Sequence, residues 1–319
     1  RKEKRFNKSY LMKSVTKRVY IIDFSLAILG YILFVLFDTL NKKLTGSYHV
    51  SQIIFVNSIF ALLPIIIFIQ LKNGWIKLKK VNLKIHFFRS GLMFLAMLAF
   101  ITSLAHLPLV IMYSVAFTAP LMLTIGANLF LDEKVGWRRY TAIIVGFIGV
   151  VISLDPFNEP LNKYIFLTFL APLFVSISWL IVRKYGQTEN IYSFLIYGKI
   201  YLIIFSGLFL ITNFNQMYLD DFIINCISGI IRGIALIFII NSARHLPSSL
   251  FAPTQYIQIF AGAILGFIIF RDIPTLNNYL GNILIIGTGL YIIIRELTLS
   301  KKIVTVAARP APIPTDSIE

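Results

Sequence analysis

The chain has 319 residues, 57% of them hydrophobic and 14% charged, with a mean hydropathy of +0.80. A soluble domain carries roughly 25% charged residues, so this composition excludes an ordinary water-soluble fold and belongs to a polytopic membrane protein. The formal net charge of +16 flanks apolar stretches, as membrane topology requires, which sets nucleic-acid binding aside.

The chain begins with a basic arm, residues 1–19, in which positions 1–18 hold eight Lys or Arg and one Glu. The apolar stretch after it, Tyr20 to Leu40, is too long for a signal-peptide core and lacks a small-residue cleavage site. A cytoplasmic arm lying on anionic lipid headgroups is expected. Apolar segments follow near 20–41, 50–71, 85–106, 109–131, 138–154, 162–182, 191–212, 222–243, 248–270 and 276–295. Each is long enough, or nearly so, to cross a hydrocarbon core of roughly 30 Å, and backbone in lipid must satisfy its own hydrogen bonds, so helices are expected. The fold class is therefore an all-α integral membrane protein with ten transmembrane helices. The segment rich in Pro and Ala at 297–319 is expected to be a disordered cytoplasmic tail.

Cations decide the orientation. With the N-terminus inside, the cytoplasmic connections and tails hold 23 of the 30 Lys and Arg, and the opposite connections hold four: Lys42, Lys43, Lys163 and Arg271. Both termini are expected in the cytoplasm, in a bacterial inner or plasma membrane.

The second half of the chain repeats the first. A shift of 139 positions lays His106-Leu107-Pro108 on His245-Leu246-Pro247, Leu131-Asp132-Glu133 on Phe270-Arg271-Asp272, and Tyr140 on Tyr279, without a gap. Five helices per repeat is an odd number, so the second copy, 162–296, enters the membrane inverted relative to the first, 20–154, with 155–161 as linker. Inverted repeats characterise secondary transporters, whose substrate site lies between the repeats near the midplane.

Ionisable groups at membrane depth cost about 2.5–3.5 kcal/mol on insertion scales and are functional candidates by default. Lys199 and Arg232 stand near the middle of the seventh and eighth segments, and no Asp or Glu occupies the middle of any segment. Two cations facing one cavity would attract an anion, with Arg232 able to grip a carboxylate or phosphate with two donors. The bland readings are snorkelling for Lys199 and a packing clamp for Arg232. Gly229 and Gly233 flank Arg232 and let a neighbouring helix or ligand approach. Asp38 and Lys42 are four apart on one face near the outer end of the first segment, as a gate, a proton-coupling site or an interfacial ion pair. Arg89 reads as an anchor or a gating group. Tyr256, Gln255 and Gln258 in the ninth segment would be costly against lipid; Tyr113, Trp179 and Asn57 are further polar handles for a substrate. Gly146 with Gly149, Gly262 with Gly266, and Gly281 with Gly287 and Gly289 read as helix-packing surfaces. Pro64, Pro120, Pro172 and Pro253 bend their helices, as hinges or as static kinks. The fifth and tenth segments brace the bundle or meet a second protomer, so a monomer or a homodimer is expected.

Other chemistry finds little foothold. One cysteine, Cys226, excludes an intrachain disulfide and a cysteine metal cluster, and four scattered histidines show no metal-ligand spacing. No G-x-x-x-x-G-K loop occurs, and no nucleophile or metal constellation stands at membrane depth. No metal or other cofactor is expected, and an intramembrane enzyme or a non-transporting scaffold are the readings from other classes.

Several short motifs, in order along the chain, carry a resemblance. They are Asp38-Thr39-Leu40-Asn41-Lys42, Arg89, Leu107-Pro108, Phe117-Thr118-Ala119-Pro120-Leu121, Leu131-Asp132-Glu133-Lys134-Val135-Gly136-Trp137-Arg138-Arg139, and Ala252-Pro253-Thr254-Gln255-Tyr256. With them the chain resembles the EamA-type branch of the drug/metabolite transporter superfamily. The resemblance implies two inverted five-helix repeats, alternating access, and a central cavity lined by helices 1, 3, 4, 6, 8 and 9. One departure is Asn57, where many relatives carry Arg. The expected function is transport of a small organic anion or zwitterion, such as a carboxylate, an amino acid or a phosphorylated metabolite. The layout is also similar to S-adenosylmethionine uptake carriers of intracellular bacteria, so uptake of S-adenosylmethionine or a nucleotide-like metabolite is the alternative.

Overall fold

The structure, a computed structural model, describes residues 2–78, 81–131, 136–155, 162–185, 190–246, 251 and 253–307. The Asp132–Val135 part of the charged turn, linker residues 156–161, Pro247, Ala252 and the tail from 308 lie outside these residues. The described secondary structure is helical: α1 (Lys2–Leu44), α2 (Val50–Leu71), α3 (Leu83–Leu104), α4 (Leu109–Ala116), α5 (Thr118–Phe130), α6 (Trp137–Leu154), α7 (Lys163–Tyr185), α8 (Ile191–Leu210), α9 (Leu219–His245), α10 (Ile257–Leu265) and α11 (Leu276–Ala307). A short 3-10 turn, Gly74–Leu78, follows α2, and a π turn, Gly266–Phe270, follows α10. Polar residues start several helices. Asn82 accepts from the Ile85 amide at the start of α3, and Asn190 accepts from the Tyr192 and Ser193 amides at the start of α8.

Among the described residues, eight helical spans are long and apolar enough to cross a membrane, α4 and α5 counting together as Leu109–Phe130. The ninth and tenth expected segments fall on the shorter apolar helix Ile257–Phe270 and on α11. Large apolar side chains such as Ile67, Phe88, Ile148, Ile204 and Ile264 are exposed on the surface, where a soluble protein would carry polar groups. The first turns of α1 reach back to Lys2, so the basic arm is helical. Residues 297–307 likewise continue α11, contrary to the expected disorder; no Pro or Gly interrupts them, and Pro310 stands just beyond.

The fourth segment is not one rod. Pro120 has no amide to donate to the Ala116 carbonyl and its ring presses on that carbonyl, so α4 ends at Ala116 and Phe117 caps α5. The ninth segment breaks at the equivalent place. Amides donate three residues back, Tyr256 to Pro253 and Gln258 to Gln255, before α10 begins. Phe117 and Tyr256 are 139 positions apart, each caps the helix after its break, and their rings stack with centroids 5.0 Å apart. Pro64 and Pro172, by contrast, are absorbed within α2 and α7.

Helix pairs define the bundle. α1 lies along α9 and α3 along α7, while α2 meets α8 and α6 meets α11. Small residues permit the closest crossings. A Cβ on Gly229 would run into the Asn57 carbonyl, and one on Gly233 would lie 2.6 Å from the Ala61 carbonyl, so α9 rests backbone to backbone on α2 as the spacing predicts. At the α6–α11 seam a Cβ on Gly281 would lie 2.5 Å from the Ser153 amide nitrogen. A buried polar brace holds that seam: Ser114 Oγ donates to Asn282 Oδ1 at 2.8 Å and meets Ser153 Oγ at 2.8 Å, and Asn278 Nδ2 donates to the Ser153 carbonyl at 2.6 Å.

Gly281→Leu is expected to cost about 1–3 kcal/mol by overpacking this seam. Thermal unfolding of the detergent-solubilised protein checks it against Gly287→Leu, where a Cβ meets nothing within 4 Å. Equal midpoints for the two variants would contradict the seam.

Candidate functional site

Between the helices lies a chamber of about 220 Å³ walled by α1, α3, α4, α5, α7 and α9. These belong to the first, third, fourth, sixth and eighth apolar segments, five of the six that the resemblance implies. Its walls are aromatic and aliphatic, including Phe34, Phe37, Met97, Phe100 and Pro172, with two charged groups, Asp38 and Arg232. The Arg232 guanidinium lies 4.5 Å from the Phe37 ring centroid and 5.6 Å from that of Phe34. Contacts of this kind are worth about 0.5–2 kcal/mol and partly offset the loss of water around the cation. Tyr113 Oη donates to Asp38 Oδ2 at 2.7 Å. Asp38 and Arg232 are near enough for their charges to attract without forming an ion pair in direct contact. The chamber thus presents an acid, a base and aromatic faces to whatever occupies it.

At one end of the bundle, Lys42 Nζ donates to Asp272 Oδ2 at 2.9 Å and to the Leu107 carbonyl at 3.0 Å, and lies 4.6 Å from the Phe270 ring centroid. These bonds join α1 to the α3–α4 turn and to the loop before α11. A wider vestibule of about 480 Å³ opens beside them, lined among others by His106, Asp155, Asn162, Asp272 and Asn278. The expected pairing of Asp38 with Lys42 is corrected. Their four-residue spacing does not bring them together, because Asp38 is buried against Tyr113 while Lys42 reaches across to the other half of the chain. Asp272, absent from the expected site, coincides with Glu133 under the 139-residue shift, and that was the available signal.

The other expected residues divide into groups. Lys199 is only 3% exposed, and its ammonium has no hydrogen-bond partner among the described residues. Arg89 is held by α8: its Nη2 donates to the Phe194 carbonyl at 3.4 Å, its guanidinium lies 4.9 Å from the Phe194 ring centroid, and a Cβ on Gly198 would be 3.0 Å from Nη2. Asn57 is fully buried, with Nδ2 donating to Asn41 Oδ1 at 3.5 Å, outside the chamber wall. Tyr256 stacks on Phe117, and its hydroxyl occupies the space where a side chain on residue 289 would start, which only Gly289 leaves open. Gln255, at the break before α10, and Gln258, in the first turn of α10, are half-buried. Trp179 is 55% exposed on α7 and is not among the residues that line the chamber. The aromatic wall of Phe34, Phe37 and Phe100 was not anticipated, since nothing in sequence separates these from the many phenylalanines that face lipid.

Lys42→Met is expected to loosen the tie at the vestibule. A cysteine placed at Ile111, on the vestibule wall, should then react about tenfold faster with an impermeant maleimide in a Cys226→Ser background, a shift of about 1.4 kcal/mol. The exchanged pair Lys42→Asp with Asp272→Lys should restore the slow rate; an unchanged rate in Lys42→Met would argue against a closed tie.

Comparison with known proteins accords with this arrangement. The S-adenosylmethionine uptake transporter of Rickettsia bellii is 27% identical over 270 residues, 83% of this chain and 91% of that protein. The riboflavin transporter of Rhizobium johnstonii is 25% identical over 68% of this chain and 72% of its own length. A solved crystal structure with 15% identity superposes with a TM-score of 0.59, covering 83% of this chain and 95% of the other, a likeness that bears on the fold alone. Residues 22–154, from the apolar part of α1 to the end of α6, match the EamA-like transporter family.

Proposed function

We propose that the chain is an alternating-access carrier for S-adenosylmethionine, built of ten membrane crossings in two inverted five-helix repeats, 20–154 and 162–296, with both termini in the cytoplasm. The observation that carries the substrate reading is the facing of Asp38 and Arg232 across an aromatic wall. S-adenosylmethionine carries a carboxylate, an ammonium and a sulfonium. Arg232 suits the carboxylate with two parallel donors, Asp38 suits the ammonium, and the rings of Phe34, Phe37 and Phe100 attract the sulfonium cation. A generic organic anion would leave Asp38 opposed by like charge. The S-adenosylmethionine transporters among the relatives weigh the same way.

Support for the two-repeat architecture comes from the 139-residue self-similarity, the matched breaks at Phe117 and Tyr256, and the matched packing of α1 on α9 and α3 on α7. The excess of cations at one set of connections supports the orientation. A chamber of about 220 Å³ is smaller than the roughly 300–1,000 Å³ usual for ligand sites. Substrate binding on this reading therefore requires the walls to part, as alternating access supplies.

The test is uptake of radiolabelled S-adenosylmethionine by proteoliposomes holding the purified chain. Saturable uptake is expected, with Asp38→Asn and Arg232→Gln each losing about 30-fold in apparent affinity, the equivalent of roughly 2 kcal/mol for truncating one of two facing charges. Competition by succinate but not by the neutral thioether S-adenosylhomocysteine would return the organic-anion reading. Absence of uptake would overturn the proposal.

A further inference from the structure

We propose that Lys199 and Arg89, backed by Arg232, form a second binding site, for a small carboxylate- or phosphate-bearing anion, distinct from the Asp38–Arg232 chamber. Position along the helices separates the two. On α3, Arg89 comes first, the chamber residues Met93 to Ile101 follow, and the turn that receives Lys42 comes last. Four residues of helix, about 6 Å, separate Arg89 from Met93, the first chamber residue on α3. The anion site therefore sits toward the end of the bundle away from the Lys42–Asp272 bridge. Lys199 and Arg89 are absent from the chamber wall.

Three helices bring the cations together. Lys199 on α8 lies within electrostatic reach of both Arg232 on α9 and Arg89 on α3. The Arg89 guanidinium rests against the backbone of Gly198, the residue before Lys199. Three donors are buried here without a hydrogen-bond partner among the described residues: Lys199 Nζ, Arg89 Nε and Arg232 Nε. The carboxylate that acts on Arg232 is Asp38, whereas the charged groups that act on Lys199 are the two arginines. A buried charge without a partner is strongly unfavourable, and a lysine side chain 3% exposed at mid-helix does not reach water by snorkelling. An anion with two or more oxygens accepts from an ammonium and a guanidinium at once, which is what this cluster lacks.

The site deepens the transport reading and rests on it in one respect, the coupling. S-adenosylmethionine is a net cation near neutral pH. Filling the anion site removes the repulsion that the cluster exerts on it, so each ligand should tighten the other, by linkage and to the same degree.

Binding is measured first, without transport. Inorganic phosphate and succinate are each titrated calorimetrically into the full chain in a neutral detergent, with ionic strength held by chloride. One of the two should bind saturably, and which one does so names the headgroup. Lys199→Met and Arg89→Gln should each weaken it by about tenfold or more, and Lys199→Arg should retain it. Each variant is accepted only with a wild-type unfolding midpoint, so that loss of fold is not read as loss of the site, and Arg89→Gln serves if Lys199→Met does not fold. Saturating anion should also tighten S-adenosylmethionine binding several-fold in wild type but not in Lys199→Met. The proposal is overturned if neither anion binds above the chloride background, or if binding survives unchanged in folded Lys199→Met or Arg89→Gln. S-adenosylmethionine uptake without anion binding overturns this site alone, and anion binding without that uptake overturns only the substrate reading.

Discussion

A charge inside a bundle of hydrocarbon-facing helices has to be balanced within the bundle, and that constraint organises this molecule. The outer surface is given over to apolar side chains, so every polar group at depth must look inward and find an aromatic face, a carbonyl, an opposite charge or a ligand. Arg232 finds two phenyl rings and, at longer range, Asp38. Lys42 finds a carboxylate and a carbonyl from two separate parts of the chain. Asp38 finds a phenol. Each of these arrangements fixes one helix relative to others, so electrostatic necessity also serves as positional information.

That information depends on how closely the helices approach. Glycines at 229 and 233 let α9 lie backbone to backbone on α2, and this contact carries Arg232, between them in sequence, to the chamber wall. On the opposite side of the bundle the Gly149–Gly281 seam and its serine–asparagine brace hold α6 and α11 as a fixed pair. Both crossings are thus built from the same device, small residues at the contact, with polar bonds added at the second.

Much of this was legible in the chain. The length and spacing of apolar segments located the helices, the 139-residue shift paired the two halves of the chain, and the rarity of charge at depth singled out Lys199 and Arg232. Partner choice was not legible. The Asp38–Lys42 spacing satisfied the local rule for a helical pair, yet tertiary neighbours outbid it, because a residue 230 positions away, Asp272, comes within 2.9 Å of Lys42. Aromatic lining was not legible either, since phenylalanine is equally suited to lipid and to a chamber.

The stacked rings of Phe117 and Tyr256 stand where the two halves of the chain meet through equivalent positions. If the halves rock against each other about their symmetry axis, atoms on the axis travel least and those at the two ends travel farthest. The stack would then behave as a fulcrum, keeping its contact throughout the cycle while the vestibule beside Lys42 opens and shuts. A fulcrum has to be incompressible and seated, and Tyr256 is both: one face presses on a ring, and its hydroxyl is set into the notch that Gly289 leaves in α11. In such a motion the least conspicuous glycine of the tenth segment would be the socket of the hinge.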